Sequence, residues 1–526
     1  MLTSTNHSSS YIEPPPRAKK SKGKLKLFNM TDAGNGELFA HLFSDRVLFD
    51  HKQGRWLFWD AKRQRWQSDA TKKVRLLAKN VAREWFKIGR DVARSGEEDA
   101  KGYYTWAYKS ESAGGIDATL RQAQTEPPIS DEGDGWDADP WLFGVANGVV
   151  DLRTGKFRAG TQSDRITKFS PVVFDPGAKC PRFFKFMDEI FASDAELIRY
   201  VQKAIGYSLT GETREQCLFA CWGSGSNGKT TLLELLFYIY GDYGKDLPFT
   251  SLEAKQHRIG DGVNLLGSRF VKAVEVREGV VLDEGRVKAW TGSDTITVRP
   301  LYHNELSFRP QFKLWMGFNH KPKIVDDSVA MWRRIQLIPF TQTFDVRNAD
   351  RELAHKLRVE APGILNWMIA GCMAWQAEGL PTPEAVERAT IEYADESDHL
   401  KAFLEERCDL GATFSVPKND LRLAYDNWCS ARKERPKNKN DFPQALKCRG
   451  FGEGKNASFR YWTGLQLRVP DATPDATDAT SGISTSFSGS DIRKEVQNDQ
   501  SCVSSVSDVE NKGDANDRVV SAERGQ

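Results

Sequence analysis

The chain of 526 residues has no long apolar run. Its longest strongly apolar stretch, Leu232 to Tyr240, is nine residues, far shorter than the about 20 residues that span a bilayer. No charged segment followed by an apolar core opens the sequence, as it would in a secretory signal. The composition, with 39% hydrophobic and 11% aromatic residues, is sufficient for sizeable cores. These features predict a soluble, cytoplasmic protein with no membrane partner.

The eight cysteines form no CxxC pair and have no matching histidine spacing. This scatter argues against both a zinc framework and a disulfide scaffold. The closest pair, Cys217 and Cys221, lies in an apolar run that is typical of a buried strand. We therefore expect both to be small buried side chains, as free cysteines commonly are.

The near-neutral charge, 74 Lys and Arg against 72 Asp and Glu, conceals an uneven distribution. Residues 471–526 carry eleven acidic and five basic residues with few large apolar side chains, which predicts a disordered acidic tail. Residues 1–29 form an arm with six basic residues between Arg17 and Lys26, also expected to be disordered. Two interpretations of this arm stay open, contact with nucleic acid and a solvated terminus.

Residues 30–175 predict an α+β N-terminal domain. The alternating segment Arg55–Asp60, a polar turn and Arg65–Trp66 indicate a hairpin, and residues 148–157 indicate another. Between them, apolar residues at helical spacing predict a helix over Lys72–Ile88. Aromatics beside arginine in the first hairpin favour ordinary core packing, with stacking on bases as the alternative.

Residues 176–350 alternate helices with short apolar strands that end in polar residues, a pattern typical of a parallel α/β sheet. The predicted strands are Leu218–Trp222, Arg269–Val274 and Phe312–Phe318. A helical connection over 351–396 follows.

Residues 397–470 have the pattern of a winged-helix module. Three short helices and a terminal hairpin around Gly452–Gly454 are predicted there; the helices are His399–Cys408, Asn419–Ser430 and Phe442–Lys447. Residues 432–460 carry nine basic and three acidic residues, which favours nucleic acid as a partner. A merely solvated basic face is the alternative.

The strongest motif is a complete GxxxxGK[ST] directly after a predicted strand and before a predicted helix. Its residues are Gly223, Ser224, Gly225, Ser226, Asn227, Gly228, Lys229 and Thr230. Glycines let backbone N–H groups close around an anion, and a helix N-terminus favours negative charge. Lys229 is predicted to reach the β- and γ-phosphates of ATP, and the Thr230 hydroxyl to ligate Mg²⁺.

Three further residues follow in an order that suits ATP hydrolysis. Glu275, after the second strand, could polarise the attacking water or help to hold Mg²⁺. Asn319, after the third strand, could orient that water. Arg334, with the adjacent Arg333 as the alternative, could stabilise transition-state charge at a neighbouring subunit's nucleotide. Each signal is weak alone, and their order and spacing reinforce one another.

With these motifs the chain resembles the superfamily 3 helicases of the phage and plasmid primase-helicase family. The resemblance covers about residues 30–470 and includes the segments 147–155, 282–294, 312–319 and 331–340. It implies an α/β protein with a P-loop AAA+ ATPase core, an α+β N-terminal domain and a C-terminal winged-helix-like domain. It also implies a homo-oligomeric ring, commonly a hexamer, that hydrolyses ATP between subunits and moves on single-stranded and forked DNA. For a phage or plasmid protein the compartment would be the bacterial cytoplasm.

The family's DNA-contacting hairpin falls on residues 288–310. By position, the resemblance places Lys288, Arg299 and His303 near DNA phosphates, although an exposed turn histidine is an equal alternative for His303. Many relatives carry a primase domain ahead of this region, and only about 29 residues precede the first block here. We therefore expect a helicase served by a separate primase.

Two other functions remain as hypotheses. An ATP-assembled DNA-binding replication initiator without strong unwinding is the main alternative, and the winged-helix-like block motivates it. A P-loop kinase for a small metabolite fits poorly with the arginine pair and the basic module.

Overall fold

A computed structural model describes ten stretches of the chain. They are residues 28–96, 100–254, 262–274, 277–299, 305–324, 329–345, 347, 350–432, 434 and 436–468. Within these stretches no helix combines the length and apolarity needed to cross a bilayer.

The N-terminal block packs four helices against a four-stranded sheet. Its elements are α1 (Asp32–Phe43), β1 (Val47–Asp50), β2 (Arg55–Asp60), β3 (Arg65–Ser68), α2 (Val74–Ser95), α3 (Ala100–Glu111), α4 (Ala113–Ala123) and β4 (Ser130–Asp131). The sheet order is β3-β2-β1-β4. The predicted first hairpin is confirmed, since Asp60 pairs with Arg65 across an antiparallel turn. Trp66 is 2% exposed, and Trp56 packs against the core of this block. Both therefore have the packing role that the sequence favoured.

A second antiparallel sheet, β5 (Leu142–Val145), β6 (Gly148–Asp151) and β7 (Lys156–Arg158), confirms the other predicted hairpin. Phe143, Val145 and Val150 pack into the large core of the central region, whereas Leu142 and Val149 pack in a small cluster with Ile166 and Phe169. Phe143, for example, stacks on Tyr243 with ring centroids 4.7 Å apart.

The central region is built on a five-stranded parallel sheet. Its elements are α5 (Pro181–Ile190), α6 (Ala195–Leu209), β8 (Leu218–Trp222), α7 (Lys229–Tyr240), β9 (Gly244–Asp246), β10 (Phe270–Val274), α8 (Glu284–Thr291), β11 (Ile296–Val298), β12 (Leu306–Phe308), β13 (Lys313–Phe318), α9 (Val329–Trp332) and β14 (Ile335–Pro339). The order β14-β8-β13-β10-β9 confirms the three predicted strands within one residue and adds two edge strands. All six residues of β13 are buried, as expected of a parallel strand covered on both faces. Cys217 and Cys221 are buried, as predicted.

Three helices continue the chain: α10 (Leu353–Val359), α11 (Ala361–Glu378) and α12 (Glu384–Ser397). Helix α11 approaches α6 closely because glycines face each other there. A Cβ on Gly206 would lie 2.1 Å from the backbone nitrogen of Cys372.

The C-terminal block contains three helices and an antiparallel sheet of order β15-β17-β16. Its elements are α13 (His399–Arg407), β15 (Cys408–Pro417), α14 (Lys418–Ala431), α15 (Asp441–Cys448), β16 (Gly452–Lys455) and β17 (Arg460–Leu467). The predicted terminal hairpin is confirmed, since β16 and β17 pair antiparallel, but its turn does not lie at Gly452–Gly454, because both glycines are within β16. The turn instead follows Asn456, whose side-chain oxygen accepts hydrogen bonds from the backbone of Ser458 and Phe459. Asparagine makes such a turn without needing glycine.

Candidate functional site

The glycine-rich loop Gly223–Gly228 connects the carboxyl end of β8 to the start of α7. Gly225 and Gly228 have φ angles of +111° and +85°, which side chains other than glycine rarely adopt. A Cβ on Gly228 would also lie 2.5 Å from Ile190. The loop thus depends on glycine at Gly228 for both its backbone angle and its packing, and it exposes backbone N–H groups at a helix N-terminus.

Lys229 is 5% exposed and folds back over this loop. Its Nζ donates hydrogen bonds to the carbonyl oxygen of Gly223 (2.8 Å) and to Oδ1 of Asn227 (2.9 Å). Burial lowers the pKa of Lys229 below its ordinary value, and the neighbouring Cys221 opposes the shift. The lysine cation is therefore held by one backbone carbonyl and one side-chain amide oxygen of the loop.

The loop is fastened to the neighbouring strand β14 and its continuation. The backbone N–H of Phe340 donates to the carbonyl of Trp222 (2.7 Å), and that of Phe344 donates to the carbonyl of Ser226 (2.8 Å). The Asn227 amide donates to the carbonyl of Phe340 at 3.4 Å. Ser224, Ser226 and Thr230 are exposed along the outer side of the loop and the first turn of α7. The loop is thus anchored along its inner side and open along its outer side.

Asn319 lies beside the loop, because β13 is the direct neighbour of β8. Phe318 pairs with Trp222, so the next residues, Asn319 and Gly223, leave the sheet at the same level. The Trp222 indole N–H donates to the backbone carbonyl of Asn319 at 3.2 Å. Asn319 is exposed, and its side chain is therefore available at the carboxyl edge of the sheet.

Glu275 lies outside the described residues. The strand before it, β10, pairs with β13 on the side away from β8, and its last residue, Val274, lies opposite Gly317. Three consecutive strands of the sheet, β8, β13 and β10, thus end at one edge. That edge is where open α/β sheets commonly bind ligands.

Sequence reasoning missed a cluster that joins the loop to α12. The Lys321 ammonium lies 4.3 Å from the Trp222 ring centroid and 5.4 Å from that of Tyr393. It also pairs with Glu396 at 2.7 Å. The sequence offered one indication of this cluster: Trp222 directly precedes the glycine-rich loop, and Lys321 follows Asn319 by two residues.

Arg334 lies at the amino ends of the strands, whereas the glycine-rich loop lies at their carboxyl ends. Its carbonyl oxygen accepts a hydrogen bond from the backbone N–H of Leu218, the first residue of β8, at 2.7 Å. Burial and the nearby charge of Arg333 lower the pKa of Arg334, and Asp294 opposes the shift. Its guanidinium donates to the carbonyl of Ala330, while the buried Nε has no hydrogen-bond partner within the described stretches. The structure therefore separates Arg334 from the residues around Lys229.

The residues expected near DNA are described only in part. Lys288 is half-buried in α8, and Arg299 is exposed at the end of β11. Strands β11 and β12 pair antiparallel, with Ile296 opposite Phe308, so two paired strands lie within residues 288–310, where the hairpin was expected. His303, between them, lies outside the described residues.

Comparisons with known families match two parts of the chain. A family described as "D5 N terminal like" matches residues 36–192. A family of unknown function, DUF5906, matches residues 221–334, the stretch that begins just before the glycine-rich loop and ends at Arg334.

Several curated relatives are viral proteins. "Putative helicase L207/L206" of Acanthamoeba polyphaga mimivirus is 29% identical over 292 residues, which cover 51% of this chain and 30% of the relative. "Putative helicase 022R" of Frog virus 3 is 25% identical over 406 residues, which cover 60% of this chain and 41% of the relative. "Putative primase C962R" of African swine fever virus is 26% identical over 215 residues, which cover 38% of this chain and 22% of the relative. The chain spans less than half the length of each of these relatives.

Among solved structures, "The A form apo structure of NrS-1 C terminal region-CTR" is 13% identical with a TM-score of 0.44. The match covers 81% of this chain and 98% of that one. Likeness at this level supports no conclusion about function. The sequence matches relate the chain to viral proteins named as helicases and primases.

Proposed function

We propose that the chain is an ATP-dependent DNA helicase that serves replication of a viral, phage, plasmid or integrated genome. ATP would be hydrolysed at the subunit interfaces of a homo-oligomeric ring, for which a hexamer is the expected size. The observation that carries the proposal is the side-by-side placement of Lys229 in its glycine-rich loop and Asn319 at the carboxyl edge of one parallel sheet. The names of the viral relatives support it.

The loop residues suit a nucleoside triphosphate with Mg²⁺. Backbone N–H groups of Gly223–Gly228 would surround the phosphates, and Lys229 would exchange its contacts to Gly223 and Asn227 for phosphate oxygens. The exposed Thr230 hydroxyl, in the first turn of α7, would be a ligand of the metal. Bound Mg²⁺ would neutralise charge that develops on the phosphates.

Hydrolysis requires a positioned water, for which two side chains are candidates. The Asn319 amide, held beside the loop through the bond from Trp222 to its carbonyl, would orient the water. Glu275 would accept its proton or help to hold Mg²⁺, a role that the family resemblance implies. Arg334 would stabilise transition-state charge on the nucleotide of an adjacent subunit.

The test is the substitution Lys229→Ala in the full chain, with Lys185→Ala, an exposed lysine of α5, as the matched control. We expect Lys229→Ala to abolish DNA-stimulated ATP hydrolysis and unwinding of a forked duplex, while Lys185→Ala retains both. Circular dichroism would verify that both variants fold. Absence of both activities in the parent protein would contradict the proposal.

The second candidate is a DNA-binding initiator that uses ATP only to assemble. The C-terminal block favours it, since nine basic residues lie within residues 432–460. Site-specific protection of DNA in a footprinting experiment, without unwinding, would support this candidate over the helicase.

A further inference from the structure

The outer face of α2 carries a row of basic side chains. This helix is distant in sequence from the glycine-rich loop. They recur every third or fourth residue and so share one face of the helix: Arg75, Lys79, Arg83, Lys87, Arg90 and Arg94. The opposite face buries Val81 and Trp85 in the core of the N-terminal block. The helix has 22 residues and is therefore about 33 Å long. The row is a surface feature and does not contribute to the core.

Acidic neighbours compensate this row only in part. Three members have a carboxylate partner: Arg75 with Asp117, Lys87 with Glu84 at 2.7 Å, and Arg90 with Asp91 at 3.7 Å. Within the described stretches, Lys79, Arg83 and Arg94 have no carboxylate within 4.0 Å. Glu97, Glu98 and Asp99 follow Arg94 in the sequence and lie outside the described residues. The excess of positive charge is therefore best defined around Lys79 and Arg83.

An aromatic cluster with one exposed member, Tyr108, borders the row. Phe86, which lies between Arg83 and Lys87 in α2, contacts Tyr108 of α3 edge-on, with ring centroids 4.9 Å apart and an interplanar angle of 84°. Tyr104 packs against the same phenylalanine at 6.3 Å. Tyr108 is 69% exposed, unusual for an aromatic side chain held by its neighbours. Phe86 thus packs against Tyr108, while the Tyr108 ring remains accessible to solvent.

The positive surface continues across α3. Lys101 and Lys109 line an open cavity of about 450 Å³ beside Trp106. The Lys109 ammonium lies 4.9 Å from the Trp106 ring centroid, and the Trp106 indole N–H donates to Asn35 at 3.1 Å. Basic residues therefore lie on both of the helices that carry the aromatic pair of Phe86 and Tyr108.

We propose that this α2–α3 surface, formed by Lys79, Arg83, Lys87, Arg90, Tyr108 and Lys109, binds single-stranded DNA. Phosphates would lie along α2, where basic residues one turn apart are separated by about 6 Å along the axis, similar to neighbouring phosphates of one strand. A base would stack on Tyr108. A basic track combined with an accessible aromatic ring is the usual arrangement for binding single strands without sequence preference. Bases paired in a duplex are already stacked and would not use the ring.

This contact deepens the proposed helicase function by adding a DNA site outside the ATPase region. It also makes a prediction that does not require ATP. The Lys229→Ala protein should bind single-stranded DNA through the α2–α3 surface as the parent does. Loss of ATPase activity and loss of this binding are therefore separate outcomes.

The first test removes four charges from the row: Lys79→Gln, Arg83→Gln, Lys87→Gln and Arg90→Gln. Glutamine retains helix propensity. The matched control removes four exposed charges elsewhere: Lys156→Gln, Lys185→Gln, Arg199→Gln and Arg388→Gln. Fluorescence anisotropy of a labelled oligo(dT), without nucleotide, would measure affinity between about 50 and 200 mM salt.

We expect the row variant to bind about 10- to 100-fold more weakly than the control variant, with a salt slope reduced by about 2 to 3. Equal affinities and equal slopes for the two variants would overturn the proposal, because the loss would then follow from net charge alone.

The second test examines the stacking position. Tyr108→Ala should weaken oligo(dT) binding about 5- to 100-fold, and Tyr108→Phe should retain the parent affinity. Photocrosslinking with a 5-iododeoxyuridine oligonucleotide should label the peptide that contains Tyr108. Absence of that crosslink, or a Tyr108→Ala protein that binds as the parent does, would overturn the stacking role. Row-dependent binding of duplex DNA or of RNA in preference to oligo(dT) would overturn the assignment to single-stranded DNA.

Discussion

If the chain hydrolyses ATP as we propose, the position of Arg334 predicts that two copies of the chain complete each nucleotide site. Arg334 accepts a backbone hydrogen bond from Leu218 at the amino end of β8, whereas Gly223 follows the carboxyl end of the same strand. Five strand residues separate them, a span of about 17 Å. Within one chain the guanidinium and the glycine-rich loop thus lie at opposite ends of the strands. An arginine that acts on the phosphates must then come from a neighbour.

Mixing two inactive variants makes this testable. Lys229→Ala removes the lysine from a chain's own loop, and Arg334→Ala removes the arginine that it offers to its neighbour. We expect each protein alone to lose about 10³-fold in ATPase rate. In an equimolar mixture a site is complete where an Arg334→Ala chain supplies the loop and a Lys229→Ala chain supplies the guanidinium. Random assembly of a ring gives about one quarter of such interfaces.

The assay is DNA-stimulated ATP hydrolysis after the two proteins are mixed under conditions that exchange subunits. Recovery of at least about tenfold over either variant alone is expected, up to about one quarter of the parent rate. Arg333→Ala in place of Arg334→Ala is the matched control and distinguishes the two arginines. Both substitutions leave the backbone bond to Leu218 intact, so the sheet should persist. A mixture no more active than its components would refute the reasoning, since every chain would then complete its own site.

Two further perturbations follow from contacts in the structure. Gly223→Ala would place a Cβ 2.4 Å from the backbone oxygen of Phe340. We expect it to lower ATPase kcat/KM about 100-fold, whereas Gly285→Ala, with its nearest atom at 3.5 Å, retains activity; equal effects would contradict this. Burial lowers the pKa of His399, and Glu434, 2.7 Å away, opposes the shift. The unfolded chain then binds the proton more readily, so the free energy of unfolding falls as pH falls below about 6.5. Thermal unfolding should show a smaller fall for His399→Gln, and an equal fall would contradict the assignment.

The central sheet illustrates what the sequence could predict. Strands β8, β10 and β13 are short apolar runs that end in polar residues, and they lie where the pattern indicated. Strands β9 and β14 were not predicted. Strand β9 has only three residues, two of them charged, and β14 ends in proline. Their strand character depends on pairing with β10 and β8, which are distant in sequence, so local patterns carry little signal for them.

The candidate site divides in the same way. The motif predicted which residues form the loop, and strand order explains why Asn319 lies next to it. The sequence did not predict that Lys229 bonds to Gly223 and Asn227, because such contacts depend on how the loop closes. Nor did it predict Lys321 against Trp222, since that contact requires β13 and β8 to be neighbours.

The basic row of α2 shows how tertiary structure changes the interpretation of a pattern. A helix was predicted over Lys72–Ile88 from its apolar face, and a charged opposite face by itself indicates only solvation. Placing α3 beside it brings Tyr108 against Phe86 and leaves the tyrosine ring exposed. A solvated face does not require an accessible aromatic ring supported by a neighbouring ring, whereas a surface for single-stranded DNA does. Stacking on Tyr108, rather than affinity for charge, is therefore the observation that would distinguish a DNA site from a solvated helix.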